Sequence, residues 1–244
     1  MREEIWTSTL AAGLIHFPTT PHPELSPPPL IVAGDGTLEF LTPRSGLEPP
    51  GPYCRWQDHY PPAAIQDQVR AVADRIGGPV PWAVLRSWSI AWDDAGPLLV
   101  LRGLRERNLV QGVGIQVGGN NLHAPLAPMQ TGLVDVVVAP MSLFDQRAAA
   151  ALLPTAADTD VKIVVTGLIE SLDEAVVTTT LRRHHLDQRL APAAAALAFV
   201  RSFAAVASVI VPAGQKDLRT TDDPAIQLPP ALIADFKQLH RSSF

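Results

Sequence analysis

The chain has a single cysteine, Cys54, in 244 residues. No disulfide can form within it, which fits a reducing compartment. It has no block of lysine or arginine, and its formal net charge is −5. Nucleic acid and anionic membranes are therefore poor partners for it. It also has no long uninterrupted apolar run. The run over 193–211 is broken by Arg201 and Ser202 and changes midway from helix-like to strand-like, so no membrane span is expected. The opening Met1-Arg2-Glu3-Glu4-Ile5-Trp6 lacks the apolar core of a secretory leader. These features together predict a cytoplasmic protein. There are only two tyrosines, Tyr53 and Tyr60, so few phenols are available as acids.

What is abundant is apolar: 47% of residues are hydrophobic against 18% charged, the composition of a packed domain. A chain of this length buries roughly 70% of its unfolded surface. The 24 prolines crowd the first quarter of the chain, as in Pro27-Pro28-Pro29, Pro49-Pro50 and Pro61-Pro62. Residues 18–57 read as a Pro/Gly-rich loop insertion in a single domain spanning 1–244. Within that insertion, 30–40 reads as a hairpin turning at Gly34-Asp35-Gly36. Residues 5–17 read as a strand.

From residue 62 the pattern becomes regular. Ile65, Val69, Val72 and Ile76 have helical spacing, and Gly77-Gly78 stops that helix. Strands are predicted over 80–90, 109–117, 134–139, 161–165 and 206–211. Helices are predicted over 96–107, 145–158, 172–190, 193–203 and 231–239, with a short helix or turn over 125–132. The strands are continuous apolar runs rather than alternating ones, which indicates a parallel sheet covered on both faces. Counting 5–17, there are about six such strands. Alternation alone leaves a (β/α) barrel and a doubly wound sheet both open.

Four segments narrow the choice. Residues 104–115 (Leu-Arg-Glu-Arg-Asn-Leu-Val-Gln-Gly-Val-Gly-Ile) make a helix, turn and strand. Val134-Asp135-Val136-Val137-Val138 leads to Met141-Ser142-Leu143-Phe144-Asp145-Gln146. Val161-Lys162-Ile163-Val164-Val165-Thr166-Gly167-Leu168 follows, then Ala196–Val200 with Ala205–Pro212. In order and spacing these resemble the fifth to eighth strands of the aldo-keto reductases, within the aldose-dehydrogenase-like branch. On that resemblance the fold is an incomplete (β/α)8 barrel. Arg2–Leu10 resembles the family's third strand, so the chain is expected to enter the barrel two strand–helix units late.

The resemblance also implies a chemistry and its loss. The family reduces carbonyls with NADPH through an aspartate, a tyrosine acid, a lysine and a histidine. The first two fall in the missing part, the lysine falls at or beside Leu10, and the histidine falls near Ser87. Asn120, in Gly118-Gly119-Asn120-Asn121, is the nearest match to the group that binds the nicotinamide amide. Lys216 or Arg219 could hold the adenosine phosphate. The expectation is a protein that needs no cofactor, with NADPH as the alternative.

Candidate site residues lie where barrel sites are built, at the C-terminal ends of strands. Ser87, Trp88 and Trp92 form either a pocket wall or ordinary packing. Arg86, odd in an apolar strand, points either into the barrel mouth as an anion binder or outward to solvent. Asp58, His59 and Tyr60 form either an acid–base set or a loop tether. His16 and His22 lack a third ligand spaced for a metal. His184 and His185 are adjacent on a helix and diverge. Cys54 has no motif around it.

Three functions follow as expectations. The first is a small-molecule enzyme doing non-redox acid–base work such as dehydration, cyclisation or isomerisation in a biosynthetic pathway. Its catalytic residues would be Ser87, Tyr60, His59 and Asp58, with Arg86, Trp88, Trp92 and Asn120 on the substrate. The second is a non-catalytic binding or assembly partner. The third is an NADPH-dependent reductase using Tyr60 or Tyr53. A barrel fragment has open edges, so a homodimer is expected.

Overall fold

The computed structural model describes residues 13–16, 38–43, 55–90, 92, 95–211 and 227–240. Seven strands form one sheet: β1 (Gly13–His16), β2 (Leu38–Leu41), β3 (Val80–Leu85), β4 (Val110–Gln116), β5 (Val136–Pro140), β6 (Lys162–Thr166) and β7 (Val206–Val211). Their order is β1-β7-β6-β5-β4-β3-β2. Strands β2 to β7 are mutually parallel, and β1 closes one edge antiparallel to β7. The helices are α1 (Trp56–His59), α2 (Pro62–Ile76), α3 (Gly96–Glu106), α4 (Leu126–Gln130), α5 (Leu152–Thr159), α6 (Glu174–Arg183), α7 (Pro192–Arg201) and α8 (Pro230–Leu239).

Both faces of the sheet are apolar, as the continuous hydrophobic runs require. Ala83, Leu85, Val113, Ile115, Val137, Ala139, Ile163, Val165 and Val209 belong to the large core shared with the helices. Their neighbours in sequence face the other way. Leu38, Val84, Val136, Val138 and Val164 form a second buried cluster, with Phe40, Trp82 and Ile210 half-buried against it. Glycine is needed on that second face. A Cβ on Gly112 would overlap the Trp82 ring, and one on Gly114 would stand 2.5 Å from Val136 Cγ1.

The helix boundaries follow local chemistry. Proline at the first turn opens α2, where its missing N–H costs nothing, and Gly77 at φ +71° ends it. Asp173 caps α6 by accepting from the N–H groups of Ala175 and Val176. The last helix, α8, is docked by apolar and polar contacts together. Leu232 and Phe236 are buried, and Phe236 meets Phe199 edge-on at 5.8 Å. The Gln146 amide donates to the carbonyls of Leu143 (2.6 Å) and Phe236 (2.8 Å). Among the described residues, no helix is long and apolar enough to cross a membrane.

Several expectations are corrected. In the stretch 5–17, residues 13–16 form an antiparallel edge strand on β7. The third-strand segment proposed over residues 2–10 lies outside the described residues. The place beside β3 is taken instead by β2, a part of the expected hairpin that pairs in parallel with β3. Four residues, Leu38-Glu39-Phe40-Leu41, look like half a hairpin when a turn precedes them, and only the neighbouring strand decides their direction. The strand predicted over 80–90 stops at Leu85 because Ser87 turns the chain at φ +57°. The helix predicted over 145–158 is a 3-10 turn (Arg147–Ala149) followed by α5. The helix predicted over 172–190 ends at Arg183, and His185 stands at φ +57° beyond it.

Candidate functional site

The site is built on the turn that ends β3. Alternation along that strand puts Trp82 and Val84 on the second face of the sheet, and Arg86 continues the same row. Its guanidinium carbon lies 5.3 Å from the centroid of Phe40, a member of that face on the neighbouring strand. Of the two directions open to Arg86, the structure has the inward one, at the mouth of the barrel. Burial disfavours the guanidinium charge and pulls its pKa down, with Tyr60 acting in the opposite direction.

Tyr60 ties the two strand ends together. Its hydroxyl lies 3.0 Å from the Leu41 carbonyl oxygen and 2.7 Å from that of Arg86, and donates to them. The ring is 1% exposed. Burial pushes the phenol's pKa well up, against the weaker opposing effects of the Arg86 contact and charge. Tyr60 is therefore held neutral with its proton already committed.

His59, beside it on α1, is equally buried. Its ring centroid is 5.8 Å from that of Trp92. Desolvation lowers the His59 pKa and Asp58, itself exposed, raises it, with desolvation the larger effect. Trp92 also meets Tyr60 at 5.8 Å and Trp88 at 5.3 Å, both edge-on. This edge-to-face geometry lets each ring's positive rim meet a negative face. Trp88 is fixed from both sides. Its indole N–H donates to the Ala124 carbonyl at 3.3 Å, and its own carbonyl accepts from the Asn121 amide at 2.8 Å.

Buried polar atoms are nearly always hydrogen-bonded, so exceptions mark places worth explaining. Among the described residues, three buried side-chain nitrogens have no partner: His59 Nε2, Arg86 Nε and Trp92 Nε1. His59 and Trp92 sit in the ring cluster on the helix side of the sheet, and Arg86 lies on the other face against Phe40. Arg86 and Trp92 supply N–H donors, and His59 is a neutral ring.

The remaining sequence candidates are placed differently. Ser87 is exposed on the turn. Asn120 is exposed and lines a separate groove with Arg147 and Lys237. Lys216 and Arg219 lie outside the described residues, as do His22, Tyr53 and Cys54. His16 lies in β1. Among the described residues, no three His, Cys, Asp or Glu side chains gather as a metal site. Sequence reasoning missed Phe40 and Asn121. Phe40 was hidden by the hairpin reading. Asn121 was overshadowed by its neighbour, and only the fold shows which of two adjacent asparagines reaches the Trp88 carbonyl.

No family model matches the chain, and no curated protein does. Solved structures do match. An aldo-keto reductase from Bacillus halodurans in its apo form superposes with TM-score 0.60 at 16% identity, over 73% of this chain and 68% of that one. Its holo form gives 0.57 at 14%, over 73% and 67%. An aldo-keto reductase complexed with NADPH gives 0.52 at 16%, over 73% and 60%. At this identity the likeness is one of fold. The chain is built as an incomplete α/β barrel of the aldo-keto reductase kind, with six parallel strands.

Proposed function

We propose that the chain binds a small, acceptor-rich organic anion at the barrel mouth and performs acid–base chemistry on it without hydride transfer. The observation that carries this reading is the Arg86 guanidinium at the C-terminal end of β3, turned onto Phe40 with Nε buried and unpartnered; the unpartnered nitrogens of His59 and Trp92 lie in the ring cluster behind the same strand end. Arg86 is the anion's partner, resting on Phe40. A carboxylate suits it, since a guanidinium presents donors in a fork that matches two oxygens. His59, with its pKa lowered, is neutral at pH 7 and serves as the base. Ser87 offers a hydroxyl at the rim, and Asp58 tunes His59. Tyr60 is a positioning residue, holding the ends of β2 and β3.

An NADPH-dependent reductase is the second reading, favoured by the NADPH complex among the structural neighbours. The resemblance gives the lysine's place to Leu10, which lies outside the described residues, and the histidine's place to the neighbourhood of Ser87, a serine on an exposed turn. The phenol that is described, Tyr60, already donates its proton to backbone carbonyls. A homodimer, with a second copy covering the β2 edge, belongs to the same proposal. Light scattering checks it.

The test uses the full chain with pyruvate and phenylpyruvate as probes. Calorimetry should show saturable binding that Arg86→Met weakens at least tenfold with an unchanged melting temperature. In heavy water, NMR should show deuterium entering the carbon beside the ketone, and His59→Gln should stop it while binding persists. Equal binding by Arg86→Met would refute the assignment of the mouth. A carbonyl reduced at the expense of NADPH would replace this reading with the second.

A further inference from the structure

Apart from the end of β3, a groove of about 780 Å³ runs between the turns after β4 and β5 and the end of α8. Its size falls within the range of small-molecule sites, roughly 300–1,000 Å³. Asn120, Arg147, Phe203, Lys237 and His240 are among its lining residues, and no aspartate or glutamate is. Arg86 and the ring cluster do not contribute to it.

The cations are held rather than loose. Asp145 engages Arg147 through two contacts, Nε to Oδ1 at 2.8 Å and Nη2 to Oδ2 at 2.6 Å. That fork fixes the guanidinium plane and leaves Nη1 outside the pair. Asp145 is fixed in turn, because the Ser142 hydroxyl accepts from its N–H at 3.0 Å. On the other wall, Lys237 Nζ lies 6.0 Å from the centroid of Phe203. The Phe203 ring with Ala149 and Ala150 gives the groove an apolar side within reach of both cations.

We infer that this groove is a second ligand site, taking a small aromatic molecule that carries one anionic group. Its ring lies against Phe203 and Ala149, and its anion meets Lys237 and Arg147. Both halves are needed. An inorganic anion gains nothing from the apolar side, and a neutral ring gains nothing from Lys237 or from the Nη1 that Asp145 leaves outside its pair with Arg147.

The test is made in the Arg86→Met background, so that the mouth lacks its cation. Phenyl phosphate, benzoate and inorganic phosphate are titrated separately into the full chain by calorimetry. Saturable binding is expected for phenyl phosphate or benzoate, and whichever is tighter identifies the anionic group. Inorganic phosphate should bind at least tenfold more weakly than phenyl phosphate. Lys237→Glu should weaken the aromatic anion at least tenfold, and Lys237→Gln by less, with melting curves unchanged for both. Equal affinity in Lys237→Glu, or no saturable binding by either aromatic anion, overturns the assignment.

Discussion

The hydroxyl of Tyr60 lies 2.7 Å from the backbone carbonyl oxygen of Arg86. One phenol thereby joins α1 to the ends of two adjacent strands, since the Leu41 carbonyl is 3.0 Å from the same oxygen. The arrangement makes Tyr60 a tie between the ends of β2 and β3.

Tyr60→Phe should therefore lower stability by about 1–2 kcal/mol, the cost of taking the hydroxyl from the Arg86 carbonyl; the Leu41 carbonyl keeps the Arg86 N–H at 3.2 Å. Urea unfolding at pH 7 measures it. The native protein should also lose stability above pH about 10, because the unfolded phenol ionises there while the buried one stays protonated. Tyr60→Phe should lack that contribution to the alkaline loss. A variant as stable as the parent at both pH values would remove the tie from the argument.

His59 has the opposite dependence. Its folded pKa is lowered, so between that value and the unfolded value near 6.5 the unfolded chain binds more protons. Stability contributed by the neutral ring is present above pH 6.5 and declines as the pH falls. Comparing urea midpoints at pH 7.5 and pH 5.5, His59→Gln should show a smaller drop than the parent. An identical drop would mean that His59 is not the group responsible.

Gly114→Ala should cost about 1–3 kcal/mol by overpacking. Its Cβ would stand 2.5 Å from Val136 Cγ1 and 3.2 Å from the Val136 backbone oxygen. Adding Val136→Ala relieves the first contact, so the double variant should be less destabilised than the two single costs summed. Strict additivity in thermal melts would show that the strands shift apart instead.

Gln146→Ala should loosen α8. It removes both donors from the buried carbonyls of Leu143 and Phe236, a loss of about 1–3 kcal/mol. Hydrogen exchange should rise first in residues 230–240. Unchanged protection there would place the hold of α8 entirely on Phe199, Leu232 and Phe236.

Five of the six parallel strands were legible in the sequence because each is a short, mostly apolar segment rich in Val and Ile, bounded by turn residues and separated from the next by a helical pattern. The sixth was not. Leu38-Glu39-Phe40-Leu41 carries the same local signal for a hairpin half and for a parallel edge strand, and its hydrogen bonds to β3 are long-range. The site was legible in part. Arg86, Trp88 and Trp92 stand out as unusual residues at a strand end, but the partner each finds, Phe40 for Arg86, the Ala124 carbonyl for Trp88 and the His59 ring for Trp92, is far away in the chain.

The sequence by itself determined the alternation of strand and helix, the apolar core and the low charge, since these rest on composition and spacing along one segment. Only the tertiary structure decided which segment lies beside β3, that Arg86 turns inward onto Phe40, and that Tyr60 gives its proton to two carbonyls. Each of those depends on groups far apart in the chain, and no local pattern encodes a contact whose two halves are set by different elements.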